Sequence, residues 1–143
     1  KNMTDPCSPS SLPVLIIMGV SGCGKTTVAS LLYSSTPHSF FVDGDSLHPP
    51  SNIRKMTSGV PLTDEDRTPW LKAVGDWIHE KTKTTFAAFV ACSALKKEYR
   101  RGLVKVGDGR VRFVFLKGRE EVIQRRVEGR AKEGKEKEER EKG

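Results

Sequence analysis

Residues 12–33 read LPVLIIMGVSGCGKTTVASLLY, and this stretch decides the fold. Leu12 to Met18 is a short apolar, β-branched run interrupted only by Pro13, the pattern of a strand buried on both faces. Lys25 to Tyr33 places Val28, Leu31 and Leu32 at helical spacing. Between them, Gly19 to Thr26 (GVSGCGKT) matches G-x-x-x-x-G-K-[ST]. In that pattern glycines let backbone N–H groups wrap an anion, and the following helix turns its positive end toward it. The expected phosphate-binding set is Gly19, Val20, Ser21, Gly22, Cys23, Gly24, Lys25, Thr26 and Thr27. Lys25 is spaced to reach the β- and γ-phosphate oxygens of a nucleotide, and the Thr26 hydroxyl to hold Mg²⁺. A tight structural turn is the competing reading of the same glycines. The flanking strand and helix favour the phosphate loop.

Outward from this loop, strand and helix patterns alternate. Phe40 to Val42 reads as a second strand ending at Asp43, Phe86 to Ala91 as a third and Val111 to Leu116 as a fourth. Helical signals cover Asn52 to Thr57, the stretch from a Thr63 cap with Asp64, Glu65 and Asp66 in its first turn through Ile78, the residues following Ser93, and Glu120 onward. This alternation predicts an α/β fold, a parallel sheet with helices on both faces. Trp70 and Trp77 lie seven apart on one helix face and are read as core rather than as a sugar platform.

At 143 residues the chain is sized for one domain. The expected organisation is a disordered leader over 1–11, a catalytic domain over 12–127, and a charged helical or disordered tail over 128–143. That tail carries six Glu against six Lys or Arg, with no apolar stripe to dock it. Lys plus Arg is 25 and Asp plus Glu is 18, a net charge of +7 that suits anionic substrates. The basic residues scatter without aromatic interleaving, so no nucleic-acid partner is expected. No apolar run approaches the ~20 residues of a membrane span, so no membrane partner is expected either. Cys7, Cys23 and Cys92 have no metal-ligand spacing and read as free thiols of a reducing, cytoplasmic setting.

No hydrophobic strand ends in the usual second magnesium carboxylate among the later strands: FAAFVA runs into Cys92 and VRFVFL into Lys117. No NKxD guanine signature occurs. Motor ATPases and GTPases are therefore not expected. The acid comes instead after the second strand, where Asp43-Gly44-Asp45 places two carboxylates at the ligand-gathering end of a parallel sheet. One can hold magnesium through water while the other orients and deprotonates an acceptor hydroxyl. The competing reading is an Asx-type turn with Gly44 in the left-handed region.

Three blocks together, MGVSGCGKTT, DGDSLHPPSNIRKMTSGVPLTDEDRTPWL and ACSALKKEYRR, resemble the gluconate kinase (gluconokinase) family. That family is grouped with shikimate kinase among small-metabolite P-loop kinases. The resemblance covers residues 12–127, and the middle block is its most specific part, since generic P-loop proteins lack it. It implies a P-loop kinase-type sheet and transfer of the ATP γ-phosphoryl group to the 6-hydroxyl of D-gluconate with Mg²⁺, feeding the pentose phosphate route. It also implies a homodimer. On the matching positions, Lys25 and Asp45 carry the transfer, with Thr26 and Asp43 on the magnesium side. Asp45, His48, Asn52, Arg54, Arg67 and Lys96 are the expected substrate contacts, with Lys97 a further available cation.

The family pattern continues past VIQRRVEGR into an Arg-Lys-Gly-His-Phe-like lid, a final strand and a closing helix, whereas this sequence reads AKEGKEKEEREKG. A fold truncated at the C-terminus is therefore expected, with Arg126 and Arg130 at the lid-arginine positions as further catalytic candidates. Two other readings stay open. One is a lidless relative that holds nucleotide with little or no turnover. The other is a kinase of another small hydroxy acid.

Overall fold

The computed structural model describes residues 11–20, 22–93, 96–118 and 120–142, with the side chains of Glu120, Glu121, Ile123, Gln124 and Arg126 outside that description. Residues 1–10, which carry nearly all of the expected leader and Cys7, lie outside the described residues.

Four strands, β1 (Val14–Met18), β2 (Phe40–Asp43), β3 (Ala88–Ala91) and β4 (Val111–Phe115), form one sheet of order β2-β3-β1-β4 with every pairing parallel. Among the described residues, five α-helices connect and follow them: α1 (Lys25–Ser35), α2 (Pro50–Thr57), α3 (Asp64–Thr82), α4 (Lys97–Val106) and α5 (Glu120–Lys142). The period-2 alternation of strand side chains divides the core between two faces. Val14, Ile16, Ala88 and Val90 pack with Trp70, Val74 and Ile78 of α3 and Leu103 of α4. Ile17, Ala87, Phe89 and Ala91 pack with Ala29 of α1. Helices thus cover both faces, as the sequence predicts.

Most boundaries shift by a few residues for identifiable reasons. Helix α2 starts at Pro50 rather than Asn52, because proline at the first helical position supplies the right φ and lacks only an N–H that has no partner there. A 3-10 turn, Gly44–Leu47, follows β2 at once. Helix α3 opens as expected at Thr63, whose hydroxyl accepts from Asp66 N (3.1 Å) while Thr63 N donates to Asp66 Oδ2 (3.0 Å), a reciprocal capping box. Strand β3 is shorter than the apolar run and α4 begins at Lys97. Helix α5 runs from Glu120 through Lys142 without a break at residue 127, and its residues from Arg130 onward are exposed.

Arg110 fastens the opposite end of the sheet. Its guanidinium donates to the carbonyls of Leu12 (2.8 Å), Thr82 (3.2 Å), Thr84 (2.6 Å) and Phe86 (2.8 Å). The end carrying the strand C-termini is thereby left to build the site.

Candidate active site

Because β1, β2 and β3 run in parallel register, Ile17, Ala91 and Asp43 sit level across the sheet, and the chain leaves all three strands at the same edge. The glycine-rich loop leaves β1 there. Gly19 adopts φ +150°, and a Cβ on it would fall 2.7 Å from Cys23 Sγ and 2.8 Å from the Leu116 carbonyl oxygen, so only glycine fits this turn. Cys23 N donates to Val20 O (3.2 Å), and Gly22 and Gly24 carry φ of 85° and 94°. Gly24 caps α1, whose first residues are Lys25, Thr26 and Thr27. The Lys25 ammonium donates back to Val20 O at 3.1 Å, folded over its own loop. Ser21 lies outside the described residues.

Asp43 joins this loop to β2. Its Oδ2 accepts from Thr26 Oγ1 (3.3 Å), its Oδ1 from Asp45 N (3.0 Å), and its backbone oxygen from Ser46 Oγ (2.6 Å). The Asp43–Asp45 bond is the Asx-type turn of the competing reading, and it leaves Asp43 Oδ2 toward Thr26. Gly44, however, does not take a positive φ. Its glycine is required by close approach instead: a Cβ would lie 2.6 Å from the Ala91 carbonyl oxygen.

Beside the loop lies a cleft of about 300 Å³. Lys25, Asp45, His48, Arg67, Trp70 and Ser93 contribute to its lining, and Met56, Val60 and Leu62 supply apolar wall. The structure thus brings four of the sequence's candidates, Lys25, Asp45, His48 and Arg67, to one cavity although they span more than forty residues. Arg67 is half-buried, and its ion pair with Asp64, at 3.8 Å, is loose. His48 is 8% exposed and stacks on Trp70 with ring centroids 4.3 Å apart and planes 14° apart. Trp70 Nε1 donates to Gly44 O at 2.7 Å, which fixes the indole under the acidic turn. Burial pushes the His48 pKa below the usual imidazole value; Asp45 opposes this and Arg67 reinforces it.

Other expected substrate contacts are engaged elsewhere. Asn52 is 2% exposed and its amide bonds His48 and the Asp66 carbonyl, so it stands behind the cleft wall. Arg54 is exposed on α2 and does not line the cleft. Lys96 donates to Asp64 Oδ1 at 2.6 Å, in a separate depression that Lys97 and Tyr99 share. Tyr99 Oη donates to the same carboxylate oxygen. Lys96 and Tyr99 hold the Asp64 carboxyl below its usual range, and Asp64 in turn raises Lys96. Arg130 is exposed on α5, away from the cleft lining, and the Arg126 side chain lies outside the described residues. Trp70 and Ser93 are cleft residues that sequence reasoning missed. Trp70 is core and wall at once, and helical spacing reports only the first role.

The residues present fit a nucleotide with its metal. Thr26 Oγ1 and Asp43 Oδ2 are hard oxygen donors side by side, and Mg²⁺ takes one or two protein oxygens and fills its octahedron with water and phosphate. Among the described residues no cluster of three or more His, Cys, Asp or Glu is arranged for a metal, so phosphate oxygens would supply much of the coordination.

A parallel β2-β3-β1-β4 sheet whose first strand feeds a glycine-rich anion loop, with a carboxylate pair at the neighbouring strand end, defines a P-loop nucleotide-binding protein of the kinase type. Residues 14–142 match the family described as AAA domain, and the chain belongs to that family. It is 45% identical over 117 residues to the thermoresistant gluconokinase of Escherichia coli K12, covering 82% of this chain and 66% of that protein. It is 48% identical to the gluconokinase of Gluconobacter oxydans, covering 71% and 56%. A gluconokinase structure from Sinorhizobium meliloti superposes with a TM-score of 0.71 at 44% identity, covering 82% of this chain and 65% of that one. The expected kinship with gluconate kinases is borne out. The chain spans 56–66% of the length of three such curated relatives.

Proposed function

We propose that this chain is the nucleotide- and substrate-binding part of an ATP-dependent gluconate kinase, transferring the γ-phosphoryl group to the 6-hydroxyl of D-gluconate. The observation that carries this reading is that Lys25, Asp45 and Arg67 line one cleft, beside a loop shaped for phosphates. Phosphoryl transfer asks a protein chiefly for positioning and charge neutralisation. The loop amides and Lys25 hold the triphosphate, with Lys25 released from Val20 to meet phosphate oxygen. Thr26 and Asp43 would hold Mg²⁺, which when bound would supply neutralisation of phosphate charge. Asp45 is exposed at the cleft and accepts the proton of the substrate hydroxyl or orients it toward phosphorus. Arg67 offers the planar guanidinium suited to a sugar-acid carboxylate. Two thiols that form no disulfide, Cys23 and Cys92, accord with a reducing cytoplasmic setting.

A coupled ADP-release assay over gluconate, other sugar acids and shikimate tests the proposal. ATP consumption is expected with gluconate and Mg²⁺ alone. Nucleotide binding without turnover on any acid would overturn it in favour of a lidless binding protein, and turnover on a different acid would reassign the substrate.

A further inference from the structure

The Asn52 amide is oriented by chemistry rather than by atom labels. The amide atom 2.8 Å from the Asp66 carbonyl must be its nitrogen, because a carbonyl oxygen can only accept. The same nitrogen lies 3.1 Å from His48 Nδ1. One of its two hydrogens is committed to Asp66 and the other points at the ring, so Nδ1 is the acceptor. A neutral imidazole then carries its proton on Nε2.

The ring is fixed in its plane as well. It stacks on Trp70, which is itself anchored through Nε1–H to Gly44 O. A continuous chain therefore runs from the Asp66 carbonyl through Asn52 and His48 to Trp70 and the acidic turn. Among the described residues no buried side-chain nitrogen or oxygen lacks a partner. Nδ1 is the ring nitrogen bonded to protein, and Nε2 belongs to a residue that lines the cleft.

We propose that Asn52 is a positioning residue that locks His48 as the Nε2–H tautomer, so that the ring presents a neutral hydrogen-bond donor to a hydroxyl oxygen of a polyol acid in the cleft. The substrate half of this proposal rests on the gluconate reading above, whereas the tautomer half does not. A neutral donor suits this cavity, which already holds the cations Lys25 and Arg67. Protonating Nδ1 would set its N–H against the Asn52 N–H and break the chain. The charged groups facing the ring are Asp45, which favours the imidazolium, and Arg67, which opposes it. Lys25 faces it across the cleft. Behind Asn52, the Asp66 carboxylate is occupied by Lys55 and by the Thr63 backbone N–H.

Long-range ¹H–¹⁵N spectra of the histidine rings from pH 5 to 8, with and without gluconate, decide the matter. His48 is expected to show an unprotonated Nδ1, an Nε2–H, and protonation at lower pH than an ordinary imidazole. Gluconate should move the Nε2 resonance. Asn52→Asp replaces the donor facing Nδ1 with an acceptor; His48 should then protonate at higher pH, and gluconate affinity should fall about tenfold while ATP affinity holds. If that variant does not fold, the unsubstituted protein decides alone. An Nδ1–H neutral ring, or protonation at or above the ordinary imidazole value, overturns the lock. Gluconate binding that leaves Nε2 unmoved overturns the donor role. The locked tautomer in a protein that binds no gluconate supports the lock and overturns the substrate reading instead.

Discussion

Thr26 Oγ1 donates to Asp43 Oδ2 across 3.3 Å, joining the first turn of α1 to the last residue of β2. One hydrogen bond thus connects the loop that would hold phosphate to the strand end that would hold the acceptor. On the proposed reading these two residues would hold Mg²⁺. The later strands run into Cys92 and Lys117, so on the proposed reading Asp43 would supply the acid they lack.

Asp43→Asn is therefore expected to weaken the magnesium-dependent part of ATP affinity by about 10–100-fold, the range seen when a group orienting a bound metal is lost. Titration calorimetry of ATP with and without Mg²⁺ measures this. An unchanged magnesium dependence would remove Asp43 from the metal side.

Asp45 differs from Asp43 in bonding: its backbone N–H is engaged, while its carboxylate opens on the cleft with Lys25. Asp45→Asn should lower kcat by about 10²–10⁴-fold with ATP affinity retained, since it removes proton acceptance without touching the phosphate loop. Full turnover in this variant would exclude Asp45 as base or orienting group.

The residues that were legible in the sequence are those whose roles follow from backbone form or local spacing. GVSGCGKT between a buried strand and a helix dictates the loop, and Thr63 with Asp66 dictates the start of α3. Side-chain roles that depend on distant partners were not legible. Asn52 and His48 are four apart in sequence and looked like parallel polar contacts, yet one is buried behind the other because the Asp66 carbonyl lies within reach. Lys96 looked available until α4 packed against α3 and brought Asp64 to it. Gly44 looked like a left-handed turn residue, whereas its constraint comes from β3, forty-odd residues away.

That constraint gives a stability prediction. A methyl group at position 44 would press on the Ala91 backbone carbonyl at 2.6 Å, and Ala91 sits in the central β3 strand where it cannot withdraw. Gly44→Ala should cost about 1–3 kcal/mol by overpacking, read as a lowered denaturant midpoint. An unchanged midpoint would mean that the turn yields without disturbing the sheet.

Acid should act on the base of α2 and α3. Lys55 donates to Asp66 Oδ2 at 2.8 Å, and this bond, with the Thr63 N–H, holds the Asp66 carboxyl below its ordinary value of 3.8. A carboxyl depressed in the folded state binds fewer protons than in the unfolded chain. Its stabilising contribution is complete above the unfolded value and disappears as pH falls through the folded one. Asp64, held down by Lys96 and Tyr99, adds to the same acid-side loss. Lys55→Met removes the larger cause acting on Asp66 and leaves the capping box in place. The variant should therefore lose less stability than the parent between about pH 5 and pH 2, while the two respond alike from about pH 6 to 8. Urea unfolding at a series of pH values checks this, and parallel curves across the acid range would show that the Lys55–Asp66 pair contributes nothing to acid sensitivity.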